Sequence, residues 1–215
     1  MRARILPACF AIIAGAVLLT SCDSSPHAGG CSVSVASSDL VGLRQQAGIP
    51  DCTPGSLAVD AKAPAASMPA TSLGCLGSKQ RVALSDIKGP AIVNFWSSSC
   101  GPCRQEMPAL AAFAKQYAGR VSVVGVDYLD TIPSAGLLLA KQSDVHYPLL
   151  ADPCGDLEQS SLKPPGVMPF FYFVKADGSI SGPTMGGLDS VKQIADLAQQ
   201  HGIGLSSHQA AGATP

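Results

Sequence analysis

Two cysteines, separated only by Gly101 and Pro102, restrict what this chain can fold into more than any other feature. The stretch before them, Pro90–Trp96, is apolar, β-branched and aromatic, and it is too short for a helix, so it predicts a buried strand. The stretch after them, Arg104–Gly119, predicts a helix that ends at its glycine and is kinked by Pro108. The cysteine pair therefore lies at a junction between a buried strand and a helix.

The pair could be a metal site, a permanent disulfide or a redox centre. Structural zinc normally takes two such pairs, or one pair with histidines at a set spacing, and the four histidines here are scattered. A c-type haem site has a histidine after the second cysteine, where this chain has Arg104. A permanent bridge would close a very short loop and gain little loop entropy. The spacing favours a redox-active disulfide, and we expect no metal and no organic cofactor.

The position at a helix start gives the two sulfurs different roles. Free backbone N–H groups and the positive end of the helix dipole favour a thiolate, and the Cys-X-X-Cys context lowers the pKa of the first cysteine. We therefore expect Cys100 to be the attacking sulfur and Cys103 to be the resolving sulfur. Pro102 presets φ for the helix start, and Gly101 permits close approach of a partner chain.

The rest of the compact region alternates strands and helices. A second buried strand, a helix and a short strand are followed by a hairpin and a last helix; in order these are Val121–Asp127, Pro133–Ser143, Tyr147–Asp152, Phe170–Lys175 paired with a strand from Ser179, and Leu188–His201. Alternation predicts parallel strands, and the late hairpin predicts an antiparallel edge. The expected fold is α/β, a central mixed sheet flanked by helices.

The first residues have the pattern of an export signal. Two arginines precede an apolar stretch, Ile5–Leu19, which is short for a transmembrane helix and typical of a secretory signal peptide over residues 1–21. The following Leu-Thr-Ser-Cys resembles a bacterial lipobox, which implies cleavage before Cys22, lipid on that cysteine and an extracytoplasmic, membrane-anchored protein. The alternatives are an uncleaved anchor or a plain secretory signal.

Composition sets the expected domain boundaries. Residues 22–72 are rich in Ser, Ala, Gly and Pro and predict a tether, with one short helix at Asp39–Ala47 capped by its aspartate. Residues 73–202 form the expected domain, and residues 203–215 a flexible tail. The net charge is -1 and no Lys/Arg cluster with interleaved aromatic residues occurs, so we expect no nucleic-acid partner.

Four cysteines outside the pair are expected to form structural disulfides. Cys9 leaves with the leader and Cys22 takes lipid, so six of the eight cysteines remain, an even number in an oxidising compartment. The preferred pairing is Cys52–Cys75 with Cys31–Cys154. The pairing Cys31–Cys52 with Cys75–Cys154 stays open, and so does a free or regulatory thiol at Cys154.

Three segments carry a resemblance to a known family. They are VNFWSSSCGPCRQEMP, VSVVGVDYLD and GVMPFFYFV. With them the chain resembles the thioredoxin superfamily over about Leu73–Gly202. It is most similar to the TlpA-like, membrane-anchored branch, which includes the thioredoxins of cytochrome c maturation. The resemblance implies a thioredoxin-like fold with an N-terminal extension.

The resemblance also assigns roles to single residues. Pro169 takes the place of the family's cis-proline facing the disulfide, and the backbone of Met168 would pair with an extended substrate segment. An ordinary trans proline is the alternative. Trp96 would flank the active site, with a core position as its alternative.

Three polar residues matter for proton transfer. General thioredoxins carry a buried aspartate where this chain has Asn94; the TlpA-like branch commonly has asparagine, which removes one proton acceptor for Cys103. Asp130 aligns with an acidic residue near the cysteines and would hold or relay that proton, unless it is an exposed helix cap. Glu106 fits the branch's pattern after the pair, and a solvated helix-face carboxylate explains it equally well.

The resemblance implies a membrane-anchored thiol–disulfide oxidoreductase. It would reduce disulfides of exported cysteine-containing proteins, such as the haem-attachment cysteines of apocytochrome c, and be re-reduced by a membrane electron donor. The alternatives are an oxidase that installs disulfides, a peroxidase of the same fold, and a binding or chaperone lipoprotein in which the disulfide is only structural.

Overall fold

The computed structural model describes residues 30–205. Within them a seven-stranded sheet has the order β2-β1-β5-β4-β3-β6-β7. The strands are β1 Ser72–Cys75, β2 Arg81–Ala83, β3 Ala91–Trp96, β4 Ser122–Tyr128, β5 Leu149–Asp152, β6 Phe170–Val174 and β7 Ile180–Met185. The helices are α1 Ser38–Gln46, α2 Gly101–Gln116, α3 Pro133–Gln142 and α4 Val191–Gln200.

The sheet is mixed, as predicted. Strands β3, β4 and β5 are parallel neighbours joined through α2 and α3, whereas all the other pairs are antiparallel. The hairpin of β6 and β7 is at one edge, where the sequence placed it. The hairpin of β1 and β2 forms the other edge. The thioredoxin-like α/β fold class is therefore confirmed.

The central strands are covered on both faces, because β3 and β4 are buried at every position. Side chains alternate between the faces of a strand, so Ile92, Asn94 and Trp96 point to one face and Val93 and Phe95 to the other. All four described helices contribute to the core on the first face, through residues that include Leu40, Leu110, Leu137 and Ile194. The other face needs a different cover.

The N-terminal segment supplies that cover, so the expected tether is wrong for most of its length. The compact unit begins at Ser32. Cys52, Leu57 and Met68 are buried against the sheet face that carries Phe95. The predicted short helix is present as α1, begins one residue earlier than expected after Ser37, and contacts α3. A segment rich in Ala, Pro and Ser lacks helical periodicity, but its few large apolar side chains are enough to cover an apolar sheet face.

One extra disulfide fastens this segment to the sheet. Cys52 is bonded to Cys75 at the end of β1, with Cα atoms 5.8 Å apart. This is a bond of the preferred pairing, and it rules out the pairing that joined Cys52 to Cys31. Cys31 and Cys154 are both disulfide-bonded as well, so the free thiol considered for Cys154 is wrong.

The C-terminal boundary also differs from the expectation. Ile203 and Leu205 are buried in the helical core layer, so the flexible tail does not start at residue 203. These two apolar residues after α4 belong to the same core layer as the buried residues of α4. The predicted leader, the lipidated Cys22 and residues 206–215 lie outside the described residues. In residues 30–205, every helix is too short or too polar to cross a membrane.

A core substitution tests whether the N-terminal segment is part of the folded unit. Leu57→Ala should lower the free energy of unfolding by about 2 to 5 kcal/mol, because it leaves a cavity against the sheet. Chemical denaturation measures this change. The control, Lys62→Ala, alters an exposed side chain of the same segment and should stay within about 0.5 kcal/mol of the parent. Equal stability of the two variants would show that the segment is a loose tether.

Candidate active site

The cysteine pair lies where β3 leads into α2. Cys100 is the residue before the first helical position, in extended conformation, and α2 starts at Gly101. The backbone N–H of Cys103 donates to the Cys100 sulfur over 3.2 Å. A free amide of the helix start is therefore directed at this sulfur, the arrangement that favours a thiolate there.

The two sulfurs form a disulfide and differ in exposure. The Cα atoms of Cys100 and Cys103 are 5.2 Å apart. Cys103 is buried, with 1% of its surface exposed, whereas Cys100 is half-buried and Gly101 and Pro102 beside it are exposed. An incoming disulfide can reach Cys100 alone, so the geometry supports the predicted attacking and resolving roles.

A buried carboxyl group joins the elements around the pair. Glu106, on α2, accepts a hydrogen bond from the Asn94 side chain over 3.0 Å, and from the backbone N–H groups of Gly187 and Leu188 over 2.6 and 3.1 Å. Only 2% of its surface is exposed, so the solvated helix-face interpretation is wrong. Burial raises the pKa of Glu106, and the three donors oppose that rise.

The proline segment meets the same carboxyl group. The Met168–Pro169 peptide is cis, as the resemblance implied. Phe170 pairs with Phe95, which places Pro169 at the end of the sheet where β3 leads to the cysteines. The Pro169 carbonyl accepts the N–H of Gly186 over 2.9 Å, and a Cβ on Gly186 would lie only 2.9 Å from the proline ring and would contact Glu106. Sequence reasoning missed this glycine, because its role depends on strands distant in the chain.

Trp96 is a core residue and does not flank the site at the surface. Its side chain is fully buried. Glycines make room for the indole: a Cβ on Gly125 would lie 2.9 Å from its Nε1, and one on Gly136 would lie 3.5 Å from its outer edge. The strand pattern that buries β3 on both faces decides this position, so a direct substrate contact by Trp96 is excluded.

Asp130 holds the segment that precedes Cys100. One carboxylate oxygen accepts the N–H of Ser98 over 2.7 Å, and the other accepts the N–H of Ile132 over 2.9 Å, just before α3. Its surface is 6% exposed, so it is not an exposed cap. The Arg104 guanidinium donates to the carbonyl of the same residue, Ser98, over 3.5 Å. The Asp130 side chain thus holds the active-site loop by the backbone of that loop.

Asp127 is a further buried acid, which sequence reasoning treated only as the end of a strand. Burial raises its pKa well above the usual range, and the neighbouring charge of Asp130 raises it further. An aspartate inside a buried strand is itself unusual, and this could have indicated the residue from sequence.

Comparison with known proteins gives the family. The profile of the AhpC/TSA family matches residues 59–181, more than half of the chain. The chain belongs to the AhpC/TSA family. The match begins inside the N-terminal segment, in agreement with its packing on the sheet, and the thioredoxin-like classification inferred from the sequence motifs is confirmed.

Two curated relatives and one solved structure illustrate the likeness. The thioredoxin-like protein YneN of Bacillus subtilis is 37% identical over 81 residues, 36% of this chain and 48% of the relative. The thiol-disulfide oxidoreductase ResA of Oceanobacillus iheyensis is 32% identical over 109 residues, 50% of this chain and 55% of the relative. The chain thus spans about half the length of these relatives. A secreted disulfide oxidoreductase of Mycobacterium tuberculosis shares the fold, with a TM-score of 0.52 and 20% identity over 61% of this chain and 96% of that one.

The buried carboxyl of Glu106 predicts a pH-dependent stability. Because its pKa is raised from 4.5 in the folded state, the folded protein binds more protons than the unfolded chain above that pH, and stability is lost as pH rises through the folded pKa. Glu106→Gln removes this loss. Between pH 4.5 and the raised pKa of the folded state, the unfolding free energy of the parent relative to the variant should fall by up to about 1.4 kcal/mol per pH unit.

Denaturation curves measured across the acidic and neutral range test this. The control Gln105→Ala changes an exposed neighbour on α2 and should give a curve parallel to that of the parent. If the unfolding free energies of the parent and Glu106→Gln differed by the same amount at every pH, the raised pKa of Glu106 would be contradicted.

Proposed function

We propose that the protein is an extracytoplasmic, membrane-anchored thiol–disulfide oxidoreductase. The observation that carries the proposal is the half-buried Cys100 at the start of α2, bonded to the buried Cys103. The cis-proline lies at the same end of the sheet, and the backbone before it is where an extended partner would pair. The likeness to a relative named as a thiol-disulfide oxidoreductase supports this chemistry.

The reaction proceeds in two exchanges. In the reduced protein the Cys100 thiolate attacks one sulfur of a partner disulfide, and the partner's other sulfur leaves as a thiolate. The Cys103 thiolate then attacks the Cys100 sulfur in the mixed disulfide. The partner leaves with both cysteines reduced, and the Cys100–Cys103 bond re-forms. The protein supplies the two electrons, so it must be reduced again before the next cycle.

The charges near the pair favour reduction of partners over their oxidation. A protein becomes a strong oxidant when its reduced form, with a stabilised thiolate, is favoured. Here Asp130 accepts the backbone N–H of Ser98, two residues before Cys100. Glu106 lies on α2, about one helical turn after Cys103. Negative charge near a thiolate disfavours it, which opposes the helix dipole and makes the couple more reducing. The oxidase alternative would need the opposite balance.

The place of action and the partners are part of the same proposal. The lipobox supports anchoring through Cys22, and structural disulfides such as Cys52–Cys75 are typical of an oxidising compartment. Suitable substrates are exported proteins whose paired cysteines must stay reduced, such as apocytochrome c before haem attachment. A membrane electron donor would reduce Cys100–Cys103 again. In the competing proposal of a binding or chaperone lipoprotein, the disulfide has no exchange partner.

Trapping of the mixed disulfide tests the proposal. Cys103→Ser should leave Cys100 able to attack but unable to release its partner. Incubated with a synthetic peptide whose Cys-Xaa-Xaa-Cys-His cysteines form a disulfide, the variant should gain the mass of one peptide, and dithiothreitol should remove it. The matched Cys100→Ser variant should gain none, because the remaining sulfur is buried. No adduct on Cys103→Ser would support the binding or chaperone alternative.

The wild-type protein provides the second half of the test. After reduction it should convert the same peptide to its dithiol and become oxidised itself, in a one-to-one ratio. Consumption of hydrogen peroxide at a comparable rate would instead indicate a peroxidase.

A further inference from the structure

The buried carboxyl of Asp127 has no role in the exchange steps described above. It lies on β4 opposite Trp96, on the sheet face that α2 and α3 cover, and 1% of its surface is exposed. Neither of its carboxyl oxygens accepts a hydrogen bond from an N–H or O–H group of residues 30–205, and its polar neighbour is the carboxyl group of Asp130. A buried charge without a donor is very costly, so the neutral, protonated form is favoured.

The fold makes a specific place for this group. Gly136 of α3 lies directly over it, and a Cβ at that position would be 2.5 Å from the Asp127 Oδ2. Glycine in a helix interior is less favourable than alanine. The close approach of α3 therefore depends on the glycine, and the carboxyl is kept under the helix instead of turning toward solvent.

The neighbouring acid is placed differently. Asp130 interacts electrostatically with Asp127, and its two oxygens accept the N–H groups of Ser98 and Ile132. One member of the pair therefore has two donors for its charge, whereas the other has none. When two carboxyl groups lie this close, they favour sharing one proton between them. The proton is held best by the carboxyl group that has no hydrogen-bond donors, which is that of Asp127.

We propose that Asp127 and Asp130 hold one proton between them, carried by Asp127, and that this proton is coupled to the redox state of Cys100–Cys103. The inference rests on the proposed function, since it concerns the same disulfide. Asp127 is a positioning residue, because it acts through Asp130 and the loop and does not touch the reacting sulfurs.

The coupling has a short structural path. Asp130 accepts from the N–H of Ser98, and the Ser97 carbonyl accepts the N–H of Cys100 over 3.2 Å. If Asp127 ionised as well as Asp130, a second negative charge would therefore lie just behind the loop that carries the Cys100 sulfur. It would disfavour the thiolate, and the thiolate would in turn disfavour ionisation of Asp127.

Other charged groups around Asp127 do not replace Asp130 as its partner. β3 presents Trp96, β5 presents Ala151 opposite it in register, and α3 presents Gly136, none of which ionises. From α2, the Arg104 guanidinium contacts the Ser98 carbonyl, and the carboxyl of Glu106 is bonded to Asn94 and the loop after β7. Within residues 30–205, Asp130 is the charged group that raises the pKa of Asp127.

The coupled step transfers two electrons and two protons. A dithiol transfers two electrons, the Cys100–Cys103 bond breaks, and the dithiol becomes a disulfide that releases two protons. One proton goes to the Cys103 sulfur. When Asp127 is ionised before reduction, the second proton goes to its carboxylate and Cys100 remains a thiolate; the total charge is unchanged.

The pH dependence of the redox equilibrium tests the inference. The equilibrium constant between the full-length protein and dithiothreitol should be measured as a function of pH for wild type and for Asp127→Asn. In the range where Asp127 titrates, the wild-type constant should change with pH more steeply, by up to tenfold more per pH unit for one extra proton. At lower pH, where Asp127 is neutral in both redox states, the two curves should run parallel.

A matched control separates this effect from the loss of any buried acid. Asp152 is also a buried aspartate at a strand end, with two backbone N–H donors, and it lies on β5 at the position opposite Tyr128. Asp152→Asn should keep the wild-type pH dependence. Parallel curves for wild type and Asp127→Asn at every pH would overturn the inference. Failure of the wild-type pair to exchange with dithiothreitol at all would instead overturn the proposed function.

A measurement on the unmodified protein covers the case in which Asp127→Asn does not fold. With aspartate carboxyl carbons labelled with carbon-13, one aspartate resonance should titrate above the others, and its midpoint should move to higher pH when the disulfide is reduced. The same midpoint in both redox states would overturn the inference.

Discussion

The direction in which the chain crosses the sheet determines most of this structure. From β3 to β4 and from β4 to β5 it moves the same way across the sheet, and right-handed crossovers then place α2 and α3 on one face. The N-terminal helix and the last helix pack on that face too. The opposite apolar face is left for the segment around Leu57 and Met68, which the Cys52–Cys75 bond holds in place. The extension is thus a structural part of the domain.

The same arrangement explains why acids are buried at the active-site end. The carboxyl ends of the parallel strands meet beneath the start of α2, where polar groups lie in a layer that is otherwise apolar. Glu106 satisfies its oxygens with Asn94 and the loop after β7, and so connects three elements. Asp130 does the same for the loop before Cys100, whereas Asp127 has no donor. The first two position the site, and the third is available to hold a proton.

Sequence reasoning located what depends on local pattern. The strand, the cysteine pair, the helix and the hairpin follow from periodicity and from turn residues close together in the chain, and all are present. The burial of Glu106, the room that Gly136 and Gly186 provide, and the packing of the N-terminal segment depend on residues far apart in sequence. Composition predicted a tether because Ala, Pro and Ser lack periodicity, although a few large apolar side chains are enough to anchor such a segment. Trp96 was ambiguous for a similar reason, since only the tertiary fold shows that it is covered.

The proposed chemistry depends on a balance between opposing effects on the Cys100 thiolate. The helix start stabilises it, and the acids behind the loop and on α2 oppose that stabilisation. The reduction potential of the Cys100–Cys103 couple reports the balance directly and can be measured by equilibration with a redox buffer of known potential. We expect a value near that of thioredoxin, about -270 mV. A value near about -120 mV, typical of a strong oxidant, would contradict it.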